Sequence, residues 1–239
     1  MGNLKYKRVL LKVSGEALMG EQSFGIDQAM VARVAREIAD VRALGAEVGV
    51  VIGGGNIFRG VSVAAKGGDR VRGDHMGMLA TVMNVLAMAN ALESIDVPVV
   101  AMSAIAMDEI CEQFTQRAAK AYLAEGKIVL FAAGTGNPFV TTDSGAALRA
   151  AEMQCDAVFK GTQVDGVYSA DPLKNPDAIR YDEISYTEVL KQGLKVMDAA
   201  AIALAQEANI PIIVYSLHEP NGIVEILQGR GRATIVSGQ

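Results

Sequence analysis

Six short apolar runs, 8–13, 47–52, 97–102, 127–132, 156–159 and 211–215, alternate along this chain with longer segments of helical spacing. The runs are rich in Val, Ile and Leu and nearly continuous, as strands covered on both faces must be. Strands that alternate with helices pair in parallel through crossover connections. The pattern predicts an α/β fold, a three-layer α/β/α arrangement with a mainly parallel open sheet, spanning 1–239 as a single domain. The helical segments are read as 27–44, 74–94, 117–125, 144–154 and 198–208. Asp27 is placed to cap the first, and Gly45 to end it in left-handed backbone. In the second, Met76, Leu79, Met83 and Leu86 share one face, which is read as core packing.

Composition narrows the class. With 22 Lys and Arg against 27 Asp and Glu, the formal net charge is −5, which argues against a nucleic-acid coat. Cys111 and Cys155 have no second Cys or His at ligand spacing, so neither a disulfide framework nor a zinc site is expected. The first apolar run is too short for a signal sequence, and no uninterrupted apolar stretch approaches the roughly 18 residues of a membrane span. A cytoplasmic protein without membrane or nucleic-acid partners is expected.

In an open parallel sheet, ligands bind beyond the carboxyl ends of the strands. Four of these ends are unusual. The first, Lys12-Val13-Ser14-Gly15, brings a cation and small neighbours close to any anion, unless Lys12 merely snorkels. The second begins Gly53-Gly54-Gly55-Asn56 and continues to Arg59-Gly60. Its glycines let amides face an anion without an intervening Cβ, or else form a simple turn, and Arg59 offers a bidentate fork. The third, Ala133 to Asp143, is dense in small and hydroxyl residues and opens a helix, where Asp143 is either a cap or a lysine-orienting carboxylate. The fourth, Lys160-Gly161-Thr162 followed by an excursion to Tyr181, again ends a strand on a lysine. Two lysines, an arginine and three glycine-rich loops outline a site for a highly anionic ligand.

Absent motifs sharpen this. Neither G-x-G-x-x-G at the triple glycine nor G-x-x-x-x-G-K-[ST] anywhere is found, and no nucleophile motif accompanies His75 or His218. Phosphoryl transfer to an acceptor that is already ionised needs no strong general base. It needs two repelling anions aligned and the charge on the moving group neutralised.

The segments Lys12 to Leu18, Val51 to Gly60, Gly73 to Thr81, Gly134 to Asp143 and Val164 to Pro172, in this order, resemble the amino acid kinase superfamily and, within it, the bacterial-type uridylate kinase family. The stretch Asp74 to Met78 and the Gly136-Asn137-Pro138-Phe139 loop favour that family over acetylglutamate, aspartate, glutamate 5- and carbamate kinases. The resemblance implies an amino acid kinase-like fold, transfer of the γ-phosphoryl of ATP to UMP, Mg²⁺ carried with ATP, and a homohexamer. It implies an ATP site at Lys12, Val13, Ser14, Gly15, Gly55, Arg59, Thr162, Tyr168 and Asp171. A UMP site follows at Gly54, Asp74, Thr135, Gly136, Asn137, Pro138, Phe139, Val140, Thr141 and Thr142, with Asp74 on the ribose hydroxyls. Lys12, Lys160, Asp143 and Arg59 become the catalytic set, with no direct protein ligand to the metal assigned. Activation by GTP and inhibition by UTP are implied, the former through Gly20, Glu21, Gln22, Ser23, Phe24 and Gly25, although Ala89 and Glu93 stand where some GTP-responsive members carry basic residues. The alternatives are a kinase of a small carboxylate or carbamate on the same fold, and a non-catalytic uridine-nucleotide sensor.

Overall fold

The computed structural model describes residues 4–58, 67–172, 174–219 and 221–238. The chain runs through β1 (Arg8–Val13), a 3₁₀ turn (Gly15–Leu18), α1 (Gln28–Ala43), β2 (Glu47–Ile52), α2 (Arg70–Glu93), β3 (Val99–Ser103) and β4 (Glu112–Gln113). It continues with α3 (Gln116–Ala124), β5 (Ile128–Ala132), α4 (Thr142–Met153), β6 (Ala157–Thr162), β7 (Val167–Tyr168), β8 (Arg180–Tyr181) and β9 (Glu183–Ser185). Then come α5 (Tyr186–Gln192), α6 (Ala199–Glu207), β10 (Ile212–Ser216), α7 (Gly222–Leu227) and β11 (Thr234–Ser237).

Nine strands form one sheet in the order β4-β3-β5-β2-β1-β6-β10-β11-β9. Its described pairs are parallel except β10 with β11. The long excursion expected after Lys160 is partly ordered structure, because β7 and β8 pair into a separate antiparallel ribbon.

Two cores explain the continuous apolar runs. Val9, Leu11 and Val13 of β1 pack with α1, α2 and α7 on one face. Leu10 packs with α3, α4, α5 and α6 on the other. A strand covered on both faces cannot alternate with polar residues without burying them.

Capping sets the first helix where the sequence places it: the Asp27 carboxylate accepts from the Met30 amide at 2.9 Å, and Gly45 follows with φ +92°. The second helix differs in two ways. It begins at Arg70 under an Asp69 cap, so Asp74 lies one turn inside it rather than opening it. The Met76, Leu79, Met83 and Leu86 face is not core either, with exposures of 49%, 53%, 53% and 39%. The buried side is Met78, Val82, Val85, Met88 and Leu92. Both sides are apolar, and spacing alone selects the wrong one. Of the described helices, α2 alone is long and apolar enough to cross a membrane, but its inner side belongs to the core and its first turns to the site described next.

Candidate active site

Lys12 and Lys160 are register partners on the adjacent parallel strands β1 and β6. The chain lays β2 on one side of β1 and later β6 on the other, which makes this boundary the switch point where open sheets bind ligands. Register partners project to the same face, with their strands about 4.8 Å apart. Leu10 and Val158, two residues earlier on each strand, lie in the core under α4. Both lysines therefore emerge on that face, above the first turn of α4.

There they meet one carboxylate. Lys12 Nζ lies 2.8 Å from Asp143 Oδ1, and Lys160 Nζ lies 2.9 Å from Asp143 Oδ2, with side-chain exposures of 11%, 15% and 17% for Lys12, Lys160 and Asp143. Burial pushes the Asp143 carboxyl up, but the two ammonium groups outweigh it and hold the group below the ordinary aspartate value. Burial, helped by Lys12 and opposed by Asp143, holds Lys160 below the ordinary lysine value. Asp143 is thus the lysine-orienting carboxylate and not the cap. The cap of α4 is Thr141, whose hydroxyl oxygen accepts from the amides of Asp143 at 3.1 Å and Ser144 at 3.2 Å. Lys160 also donates to the Val196 carbonyl.

A second carboxylate braces this turn. Asp198 caps α6 by accepting from the Ala201 amide at 2.9 Å, and it accepts from Ser144 Oγ at 2.8 Å and from the Thr141 hydroxyl. In the sequence Asp198 reads only as a helix start. Nothing local announces that it reaches α4, 54 residues away at Ser144.

The glycine loop after β2 closes against its neighbours. A methyl at Gly53 would lie 3.2 Å from the Gly15 nitrogen and 3.5 Å from Thr142 Oγ1, so the ends of β1 and β2 and the start of α4 converge. A methyl at Gly54 would come within 2.8 Å of the Gly77 carbonyl oxygen and 2.9 Å of Ala80 Cβ, so this position seats the loop flush on α2.

Two cavities flank the lysine pair. The first, about 420 Å³, is lined by Gly54, Gly55, Asp74, Thr135, Asn137, Val140, Thr141 and Thr142, with Phe58, Arg70, Gly77, Met78, Thr81 and Gly134. Asp74 Oδ2 accepts from the Phe139 amide at 2.8 Å, and Oδ1 pairs with Arg70 Nε at 2.8 Å. Burial raises the Asp74 carboxyl, but the Phe139 amide and Arg70 hold it below the ordinary value. Arg70 also lies over the Phe139 ring, 5.3 Å from its centroid. Phe139 itself takes a left-handed φ of +65° and is 68% exposed. Gly136, Pro138 and Phe139 belong to the same loop without lining the cavity. Arg70 and Thr81 are lining residues that the sequence reading missed.

The second cavity, about 540 Å³, is lined by Lys160, Thr162, Tyr168 and Asp171 together with Val164, Gly166, Pro172, Leu194, Val196 and Val214. Its walls are fixed locally. Thr162 Oγ1 donates to the Val164 carbonyl at 2.6 Å, and the Tyr168 hydroxyl donates to Asp165 Oδ1 at 2.6 Å. Asp165 pairs in turn with Arg232 at 2.7 Å and Arg180 at 3.6 Å. A more open depression of about 650 Å³ lies at the opposite, amino end of β1 and β6, far from the lysine pair.

The sequence reading also included Arg59, which lies outside the described residues. Gly20 to Gly25 line neither of the two cavities. That segment is anchored at Gly25, whose amide donates to the Asn56 carbonyl at 2.8 Å. Among the described residues, no group of three or more His, Cys, Asp or Glu could cage a metal ion.

Lysines paired through one carboxylate at a sheet switch point, between a glycine loop and two flanking cavities, suit phosphoryl transfer, and residues 7–216 match the amino acid kinase family, to which the chain belongs. Among its relatives, the uridylate kinase of Brucella anthropi is 67% identical over 236 residues, covering 99% of this chain and 98% of that protein. That of Agrobacterium fabrum is 67% identical over 231 residues, covering 97% and 96%. The solved structure of UMP kinase from Bacillus anthracis superposes with a TM-score of 0.94 at 39% identity, covering 97% of this chain and 96% of that one. UMP kinase from Ureaplasma parvum gives 0.92 at 40% identity, covering 98% and 100%. Within the family, the chain falls with the uridylate kinases.

Proposed function

We infer that this chain is a UMP kinase, transferring the γ-phosphoryl group of ATP to UMP to give UDP and ADP in pyrimidine nucleotide synthesis. One observation carries the chemistry: one carboxylate clamps Lys12 and Lys160, with Lys160 lining one cavity and Thr142, next to that carboxylate, lining the other. The likeness to uridylate kinases over nearly the whole chain supports the substrate.

In this reading UMP occupies the cavity at Asp74 and Thr135, and ATP the one at Thr162, Tyr168 and Asp171. A phosphate oxygen of UMP attacks the γ-phosphorus, and the bond to the β,γ-bridging oxygen breaks to release ADP. The UMP phosphate is largely ionised near neutral pH, so no side chain need remove a proton. The work left to the protein is alignment and charge stabilisation. Lys12 and Lys160 follow the negative charge on the moving group, Asp143 keeps both ammoniums aimed, and the turn at Gly15 and the loop from Gly54 are assigned to the phosphates, with the Gly53 amide held by the Val13 carbonyl at 2.9 Å. Arg59 is assigned to the same phosphates.

Mg²⁺ characteristically binds through substrate phosphates with few protein carboxylates, and Asp143, already shared by two lysines, fits a cation delivered on ATP. Bound there, it would neutralise phosphate charge. The proposal extends to one domain over 1–239, a homohexamer in the cytoplasm, activation by GTP through Gly20 to Gly25, and inhibition by UTP. A coupled ADP-release assay across UMP, CMP, glutamate and carbamate, with and without GTP, tests it. Turnover with UMP above the others is expected; preference for a carboxylate or carbamate, or no turnover, would refute the assignment.

A further inference from the structure

Asn56 and Asn84 are fully buried polar side chains, 1% and 0% exposed, that belong to neither cavity. They face each other as a reciprocal amide pair. Asn56 Nδ2 donates to Asn84 Oδ1 at 2.9 Å, and Asn84 Nδ2 donates to Asn56 Oδ1 at 2.7 Å. The remaining hydrogen of each amide reaches main chain: Asn84 Nδ2 donates to the Gly53 carbonyl at 2.7 Å, and Asn56 Nδ2 to the Gly25 carbonyl at 2.9 Å. All four amide hydrogens are used, so both side chains are locked.

The pair joins segments that the chemistry needs in fixed relation. Asn56 follows the glycine loop directly, and a methyl at Gly15 would lie 2.4 Å from Asn56 Oδ1, so the amide also sits under the turn after β1. Asn84 lies on α2, whose earlier turns carry Asp74, Gly77, Met78 and Thr81 into the first cavity. Gly25 ends the segment that leads into α1. An apolar pair of similar size would fill the space without fixing where the Gly53 carbonyl points. A buried pair that specifies geometry is a recurrent use of polar groups in cores.

We propose that Asn56 and Asn84 are positioning residues for phosphoryl transfer, holding the glycine loop, through the Gly53 carbonyl, in register with the helix that carries the UMP site. The proposal rests on the kinase reading. Misplacement of a reacting group by about 1 Å costs on the order of 100-fold, so Asn84→Ala and Asn56→Ala are each expected to lower kcat by roughly 10- to 100-fold, with KM for ATP and UMP changed by less than about threefold. Assays are made on folded protein well below each variant's own Tm. Because the two amides act as one unit, the double variant should lose about as much kcat as either single variant. A purely structural role predicts lower Tm with kcat intact, and kcat within about twofold of wild type in the single variants, or losses that multiply in the double, would overturn the proposal. Should the variants not fold, hydrogen exchange of the wild type with a non-hydrolysable ATP analogue and UMP decides: slowing together in 20–27, 53–58 and 80–88 is expected, and slowing confined to 53–58 overturns it. Failure of wild type to phosphorylate UMP would instead defeat the kinase reading.

Discussion

At Asp143 one carboxylate serves two ammonium groups, and the consequences are measurable. Lys12→Ala and Lys160→Ala each remove a preorganised cation facing developing charge, and each should lower kcat by about 10²–10³-fold while leaving the fold intact, as circular dichroism and steady-state kinetics would show. Near-normal turnover in either would remove it from the catalytic set. Asp143→Asn leaves two buried lysines without their counter-charge, and breaking such a buried pair costs roughly 3–5 kcal/mol near neutral pH. The sign of its pH dependence follows from the shift. The folded carboxyl titrates below its ordinary value, so its contribution is complete above that value and is lost as pH falls through the folded pKa. Denaturant titrations should therefore show the stability gap between wild type and Asp143→Asn closing in acid. A second readout is kinetic. Asp143 raises the pKa of Lys160 against burial, so if the ammonium form is the active one, the alkaline limb of the kcat profile should move to lower pH in Asp143→Asn. An unmoved limb would detach Lys160 protonation from turnover.

At the scale of elements, α2 and the loop before α4 meet through Asp74. A cap role for it is removed by the Asp69 cap and the helix start at Arg70, leaving the contacts to Arg70 and the Phe139 amide. A charged acceptor on a ligand hydroxyl contributes about 1.5–3 kcal/mol, so wild type should prefer UMP over its 2′-deoxy analogue in kcat/KM by roughly 10- to 150-fold. In Asp74→Ala most of that preference should vanish while ATP dependence changes little. An unchanged ratio would show that Asp74 only holds the Phe139 loop. The strands of this fold were legible because burial on both faces writes itself as continuous apolar runs, and β1 and β2 fall at the residues read from sequence. The two-residue strands β4, β7 and β8 are too short to carry a period. Lys12, Lys160 and Asp143 were legible as strand-end and helix-start residues, whereas Asp198, Arg70 and the Asn56 to Asn84 link depend on long-range contacts. Face selection on α2 failed because an apolar stripe has the same spacing whether it meets a core or another surface.

For the whole molecule, that exposed apolar stripe is a departure from an ordinary surface. Arg72, Met76, Leu79, Met83, Leu86, Asn90 and Glu93 are all exposed along α2, alternately four and three residues apart, the repeat of a helix-to-helix seam. The stripe is self-complementary under a two-fold axis near Met83. Antiparallel copies would set Leu79 against Leu86, Met83 against itself, Met76 against Asn90, and Arg72 against Glu93. Parallel copies would set Arg72 against Arg72, so charge selects the antiparallel pair. If the proposed hexamer forms through this face, it would contain three such pairs. Since the same helix carries Asp74 and Thr81, pairing would also brace the first cavity, the proposed UMP site, from behind. Full burial of a Leu or Met side chain contributes about 1.5–3 kcal/mol, and Leu79→Glu with Met83→Glu replaces two of them in each copy with like charges near the axis. The double variant should weaken pairing by at least about 100-fold and shift the light-scattering mass from an even multiple of the 25.1 kDa chain to a smaller species. A wild-type monomer at working concentration, or a variant of unchanged mass, would leave the stripe without this partner.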